Sequence, residues 1–333
     1  MKPNVSIIIL NWNGWKDTIE CLESLYQNHY PNYEIILIDN ASSDNSINKI
    51  KEYCKNDLKV HSNFLKYNPR NKPISILEVT STELDKKESG YFFQAPQNQR
   101  LIIIKNDKNY GFAEGNNIGI RFVLKNLDSD YILLLNNDTI TDENFLNELI
   151  NTARKNPHTG IIGSVIYLYN DPQSVQSAGV KIKWHLGETK PIKYPDLNEE
   201  SFDAVSGCSM LIKKDVIKKN GILNSKCFLY YEDIDLCLRA KNSGFNITVA
   251  HKSKVFHKTS VSSKKITGTR EYYSARNLFY IMKKYSKKNE YYFFLVFFFS
   301  FKIWFTIATI LLYHKELSAF IPYLKGVFKG LTL

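Results

Sequence analysis

Four short apolar runs, each handing over to a polar knot and then to a helix-spaced stretch, constrain this chain more than any other feature. The runs are residues 5–10, 33–38, 101–104 and 131–135. Ile19, Leu22 and Leu25 recur at helical spacing after the first, and residues 46–53 suit a short helix after the second. Residues 112–125, with Ile118, Phe122 and Leu127 roughly on one face, follow the third, and residues 143–155, stopped by Pro157, follow the fourth. Strands with no polar alternation are covered on both faces, and strands separated by helices pair in parallel. The expected class is α/β: a Rossmann-like, mostly parallel sheet with helices on both faces. In such sheets ligands bind beyond the carboxyl ends of the strands.

What stands at those ends is polar every time. Asn11-Trp12-Asn13-Gly14 follows the first run and Asp39-Asn40-Ala41-Ser42-Ser43-Asp44 the second. Asn109 to Asn117 follows the third and Asn136-Asn137-Asp138-Thr139 the fourth. Any turn uses such residues, but four clusters on one rim predict a polar crevice. Asp and Asn can meet a base edge or ribose hydroxyls, and Gly-rich helix starts present N–H groups to phosphates. Asp138, just past a strand, can hold a hard divalent cation that bridges a diphosphate. A second cluster, Tyr230-Tyr231-Glu232-Asp233-Ile234-Asp235, opens a helix that runs to about 243. Acids in a first turn suit the helix dipole, so Asp235 reads as a cap as readily as a functional group. Glu232 and Asp233 are neighbours whose repulsion can raise one pKa, which suits a general base.

With these motifs in order, the sequence resembles the family 2 glycosyltransferases of GT-A fold, and among them the rhamnosyltransferase-like members. The resemblance covers roughly residues 4 to 280, apart from residues 56–100. It implies inverting, metal-dependent transfer of one sugar from a nucleoside-diphosphate sugar to a glycan or lipid-linked acceptor hydroxyl in cell-surface glycan synthesis. It implies nucleotide-sugar contacts at Leu10, Asn11, Asn13, Asp39, Asn40, Asn109, Gly115, Asn116, Asn136 and Asn137. Asn136-Asn137-Asp138 is similar to the family's DxD motif, with Asn in the first place. Asp138 and His257 are the implied ligands of Mg²⁺ or Mn²⁺, and Asp233, beside Glu232, is the implied base. Processive members carry Q-x-x-R-W; the nearest match, Gln97-Asn98-Gln99-Arg100-Leu101, lacks the Trp. Two readings from other classes are a nucleotidyltransferase and a non-catalytic nucleotide- or glycan-binding relative. The first would need a basic Gly-rich loop that Asn11 to Trp15 does not supply, and the intact Glu232-Asp233 pair argues against the second.

The formal net charge of +11 suits an anionic partner. No helix-turn-helix, zinc-finger or RNP pattern is present, so nucleic acid is not the expected one. Five cysteines without a C-x-x-C pair predict free thiols in a reducing cytosol, with no signal peptide before the first strand. Asn40 and Asn137 each begin an N-x-S/T sequon inside the expected donor site, where a glycan would block binding; this too favours a cytosolic active face.

Residues 56–100 break the pattern and are read as an insertion, with strands near 73–79 or 91–94 and a lid or partner surface as its role. Further on, strands are expected at 160–169, 205–212 and 247–250, a polar loop at 181–200, and a turn bearing His257. The division is a catalytic domain at 1–280 and a C-terminal hydrophobic helical segment at 281–333. Residues 291–313 are apolar enough and long enough to span a bilayer, apart from Lys302 at the middle. Lys283, Lys284, Lys287 and Lys288 precede them. The expectation is association with the cytoplasmic face of the cell membrane through an interfacial or re-entrant helix.

Overall fold

The structure is a computed structural model that describes residues 2–84, 95–193, 202–259, 268–313 and 316–333. In chain order, β1 (Val5–Asn11) leads into α1 (Trp15–Leu25), β2 (Tyr33–Asp39) into α2 (Ser46–Lys55), and β3 (Ser75–Thr80) into the single turn α3 (Ser81–Leu84). β4 (Arg100–Lys105) precedes α4 (Gly111–Asn126), and β5 (Tyr131–Asn136) with the short β6 (Thr139–Thr141) precedes α5 (Phe145–Lys155). Next come β7 (Thr159–Leu168), β8 (Asp171–Ser177), the pair β9 (Val180–Lys183) and β10 (Glu188–Pro191), and β11 (Ser209–Lys213). They are followed by α6 (Lys214–Asn220), α7 (Glu232–Asn242) and β12 (Asn246–His257). Four further helices are α8 (Thr269–Tyr285), α9 (Lys288–Phe297), α10 (Ile303–Ala308) and α11 (Leu317–Leu331).

Strand alternation sorts the apolar side chains onto two faces. Ile8, Ile36, Ile38, Ile102, Ile104 and Leu134 pack with Ile118 and Phe122 of α4 and Leu236 of α7. Ile7, Ile9, Ile35, Leu37, Ile103 and Leu133 pack with Leu22 of α1, Ile50 of α2 and Leu146 and Leu149 of α5. Helices thus cover both faces, as the unbroken apolar runs require. The sheet order is β3-β4-β2-β1-β5-β11-β7-β12-β6, with β8 beside β7. The strands from β3 to β5 are all parallel, and β11 runs antiparallel between β5 and β7.

The structure departs from sequence expectation in four places. The strand expected within 73–79 is β3, and it is the edge strand of the main sheet, not part of a separate lid. The segment before it is pinned by Lys72, whose Nζ donates to Glu23 Oε2 at 2.9 Å and to Tyr53 Oη at 3.1 Å inside the core. The strand considered at 91–94 lies outside the described residues. The polar stretch from 181 begins as the β9–β10 hairpin, turned by a left-handed Gly187 at φ 58°. The strand expected at 205–212 starts only at Ser209, and β12 continues past 250 through a bulge, so His257 sits in a strand and not a turn.

All five cysteines are free and buried. Burial pushes the thiols of Cys21, Cys54, Cys227 and Cys237 up to about 12, and that of Cys208 well above its usual value. A third apolar cluster joins α8 to the last helices through Phe279, Met282, Phe294, Phe298, Tyr323 and Val327.

Candidate active site

The turns after β1, β2 and β4 are one hydrogen-bonded unit. Asn11 is buried; its Nδ2 donates to Asp39 Oδ1 at 2.8 Å and to Ser42 Oγ at 3.1 Å. Asp39 Oδ2 also accepts from the Ser42 backbone N–H at 3.1 Å. Asn13 takes a left-handed backbone (φ 51°), and its Oδ1 accepts from the N–H groups of Ser43 and Asp44 at 2.7 and 3.1 Å. Asn40 ties these turns to the next: its Nδ2 donates to Asn109 Oδ1 at 2.8 Å and to the Gly111 carbonyl at 3.1 Å, while its Oδ1 accepts from Tyr110 N–H at 3.1 Å. Gly115 lets α4 lie on the end of β1, because a Cβ there would stand 2.7 Å from Leu10 Cδ1. Asn116 is buried and donates to the Phe112 carbonyl at 2.9 Å.

These turns border a cavity of about 280 Å³. Leu10, Asn40, Asn109, Asn136, Asn137, Asp138 and His257 line it. Asn11, Asn13, Asp39, Gly115 and Asn116 do not; they hold the turns that do. Sequence reasoning missed Trp12, Gly111, Phe112, Phe228, Leu229, Tyr230, Thr269 and Arg270 as wall residues. Trp12, Gly111, Phe112 and Tyr230 lie inside motifs already singled out, and Phe228 and Leu229 directly precede one, so proximity was the available signal. Thr269 and Arg270 open α8 with no motif around them.

Strand register brings His257 to Asp138. β12 pairs antiparallel with β6, placing His257 opposite Thr139, and the Lys258 N–H donates to the Asp138 carbonyl at 3.0 Å. His257 Nε2 then lies 3.2 Å from Asp138 Oδ1. Gln176 Oε1 stands 3.0 Å from Nδ1, where it can accept a hydrogen bond from that nitrogen, the arrangement that would let Nε2 ligate a cation beside Asp138. Two donors each about 2.1 Å from one cation, in adjacent positions, stand about 3 Å apart. Asn136 Oδ1, two residues from Asp138, is buried without a hydrogen-bond partner among the described residues. No group of three or more His, Cys, Asp or Glu side chains gathers among the described residues. A cation here would therefore complete its shell with water and phosphate oxygens, as Mg²⁺ commonly does. On these grounds the residues fit a divalent ion.

The acidic cluster sits behind this wall. Gly207 lies between Phe112 and Asp233, where an added Cβ would meet Phe112 Cε1 at 3.4 Å and Asp233 Cβ at 3.5 Å. Asp233 is half-buried; its Oδ2 accepts from Gly207 N–H at 2.9 Å and its Oδ1 from Ile234 N–H at 2.8 Å. Glu232 is buried, and its Oε2 has no partner among the described residues. Burial, and then the neighbouring Asp233 charge, hold the Glu232 carboxyl well above the usual carboxylate range. Burial raises Asp233 as well, but the two backbone N–H groups oppose it. The charge of the pair therefore resides on Asp233, and Glu232 is the neutral acid. Asp235 turns away from both, bonded to Arg239 at 2.8 Å, Tyr285 Oη at 2.7 Å and Lys284 at 3.0 Å.

The loop leading to this pair is strained and clamped. Phe228, Tyr230 and Tyr231 all have left-handed backbones, at φ 59°, 67° and 69°. Such a conformation costs a non-glycine residue about 1–2 kcal/mol. Asn277 of α8, buried, donates from Nδ2 to the carbonyls of Cys227, Leu229 and Tyr230 at 2.9, 3.0 and 2.8 Å. The Phe228 carbonyl accepts from Phe112 N–H and Ala113 N–H at 2.7 and 3.2 Å, satisfying donors at the start of α4. Gly111 completes the join: with φ 78°, a Cβ there would lie 2.5 Å from the Phe228 ring, which stacks on Tyr273. Replacing Asn277 by Leu removes this buried donor from all three carbonyls, and among the described residues only that of Cys227 keeps other donors, the Leu229 N–H and Arg276 Nη2. The expected result is about 2–3 kcal/mol lost from the unfolding free energy, read by urea denaturation; an unchanged midpoint would mean the loop does not depend on the clamp.

Comparison with known proteins agrees with this geometry. Residues 3–274 match the family described as "Glycosyltransferase like family 2". The low-salt glycan biosynthesis hexosyltransferase of Haloferax volcanii is 22% identical over 275 residues, covering 82% of this chain and 73% of that protein. The dTDP-rhamnosyl transferase of Shigella flexneri is 26% identical over 201 residues, covering 56% of this chain and 64% of that protein. Among solved structures, the Pyrobaculum calidifontis mannosyltransferase, in complex with GDP-Man and Mn²⁺, superposes with a TM-score of 0.56 at 12% identity, over 99% of this chain and 88% of that one. GalNAc-T7, solved with UDP, GalNAc and Mn²⁺, gives a TM-score of 0.57 at 13% identity, over 91% of this chain and 57% of that one. With the family matched across most of its length and the GT-A fold in place, this chain belongs to glycosyltransferase family 2.

Proposed function

We propose that the protein transfers one sugar, with inversion, from a nucleoside-diphosphate sugar to a hydroxyl of a glycan or lipid-linked saccharide. The observation that carries this reading is a cavity walled by the Asp138–His257 pair, with the backbone-held Asp233 carboxylate directly behind the part of that wall made by Phe112. Leu10, Trp12 and the turn built on Asn40 and Asn109 offer a wall for the nucleoside. Arg270, which makes no ion pair with any described residue, can meet phosphate oxygens with a forked set of N–H donors. Mg²⁺ or Mn²⁺ held by Asp138 and His257, with Asn136 Oδ1 beside them, would supply positive charge against the departing diphosphate.

Asp233 takes the proton from the acceptor hydroxyl as that oxygen attacks the anomeric carbon. The bond from that carbon to the diphosphate oxygen breaks in the same displacement, so the anomeric centre inverts. Glu232, neutral and unpartnered, does not compete for the proton. A deoxyhexose donor of the dTDP-rhamnose kind is favoured by the names of two relatives, the Shigella flexneri enzyme and the Escherichia coli rhamnosyltransferase, the latter 30% identical over 164 residues.

A panel of UDP-, GDP- and dTDP-sugars, screened with each metal by thermal shift and by nucleoside diphosphate release, tests the proposal. A ligand that binds only the folded state raises the melting temperature. The expected outcome is stabilisation by dTDP-rhamnose above the others and an inverted product anomer by NMR. Failure of every nucleotide sugar to stabilise the chain, or a retained anomer, would overturn it.

A further inference from the structure

Among the described residues, every exposed large hydrophobic side chain lies between 292 and 333. Phe301, Trp304 and Phe305 are 66%, 64% and 76% exposed, which no soluble surface requires. They belong to one continuous helix of 26 residues, Lys288–Tyr313, made of α9, α10 and the wider turns between and after them. The other side of this helix is committed to protein: Phe294 and Phe298 pack against Phe279 and Met282 of α8 and Tyr323 and Val327 of α11. The helix therefore lies along the catalytic domain instead of projecting from it.

Lys302 separates spanning from lying. It is the only charge within residues 291–313, and its Nζ donates to the carbonyls of Leu186 and Gly187 in the β9–β10 turn. The cation thus points into the protein, and the outer side of the helix carries no charge at its centre. A spanning arrangement would strip Lys302 from those carbonyls and bury it in hydrocarbon. Beside this helix, α11 exposes Ile321 and Phe328. Two glycines seat α11 closely on α8: a Cβ on Gly326 would lie 2.3 Å from the Tyr272 carbonyl oxygen, and one on Gly330 2.8 Å from that of Arg276.

The charge around the patch identifies the partner. Residues 281–333 contain eight lysines against two acids, Glu290 and Glu316. Lys283, Lys287, Lys288, Lys325 and Lys329 are exposed. Apolar side chains bordered by lysines match acyl chains beneath anionic headgroups. A second copy of the same face would oppose lysines to lysines. We propose that this face seats the protein on an anionic bilayer surface, the helix lying in the plane of the headgroups with both its ends on one side.

The test uses the full chain and vesicles of phosphatidylcholine with or without phosphatidylglycerol. Flotation with the anionic vesicles is expected, weakened by salt. The triple variant F301S/W304S/F305S should partition roughly a hundredfold more weakly, yet show the wild-type thermal response to nucleotide sugars, so failure here is distinct from failure of the catalytic reading. In separate S286C and E316C variants, an impermeant maleimide added outside should label both positions on bound protein. No flotation with either vesicle, protection of one of the two cysteines, or a vesicle-free dimer that F305S dissociates would each overturn the proposal.

Discussion

Asp233→Asn should lower sugar transfer by about 10² to 10⁴ while donor binding stays near wild type. That is the usual contribution of a positioned general base. The amide is nearly isosteric and keeps an oxygen for the Gly207 or Ile234 N–H, so the loop should hold. Glu232→Gln is the matched control, and its expected effect is the opposite in kind. A buried carboxyl with a raised folded pKa contributes its stability at low pH and loses it as pH rises through that pKa. Glu232→Gln removes this loss, so the variant should unfold at a higher temperature than wild type at neutral and alkaline pH, with transfer largely kept. Wild-type activity should fall on acidification as Asp233 is protonated, at a pH above the ordinary Asp range because its pKa is raised. A dead Glu232→Gln beside an active Asp233→Asn would reverse the assignment.

Asp138→Ala should cost about 10² to 10³ in transfer, since a catalytic cation is worth several kcal/mol and each 1.36 kcal/mol is a factor of ten. Unlike the loss at Asp233, this one should be accompanied by loss of Mn²⁺-dependent stabilisation by the nucleoside diphosphate. The fold should persist, because the Asp138 contact holding β12 beside β6 runs through its backbone carbonyl and survives the change. Calorimetric titration of Mn²⁺ with the diphosphate present separates the two effects. Wild-type turnover by the variant in excess chelator would exclude a metal role for this residue.

Local pattern carried the parallel half of the fold and seven of the fifteen residues that line the cavity. Short, Ile-rich runs such as 33–38 favour buried strands by length and composition, and Asn40, Asn137 and Asp138 stand within three residues of such runs, so strand ends could be read without tertiary knowledge. The remainder depends on partners far along the chain. Asn277 reads as an ordinary helical asparagine, yet it serves carbonyls 47 to 50 residues earlier. Arg270 reaches the cavity only because α8 packs where it does. His257 belongs to a strand whose bulge after Ala250 hides its continuation. Lys302 is an anomaly in any hydropathy profile until its carbonyl partners are seen.

The buried thiols have a bearing on how this enzyme ages. A thiol with a pKa near 12 is ionised to about one part in 10⁵ at neutral pH, and it is the thiolate that peroxide, quinones and alkylating agents attack. Cys21, Cys54, Cys208, Cys227 and Cys237 are shielded twice, by burial from contact and by protonation from reaction. Agents that attack accessible thiolates are therefore expected to spare these five cysteines for as long as the chain stays folded, and to reach them only through unfolding.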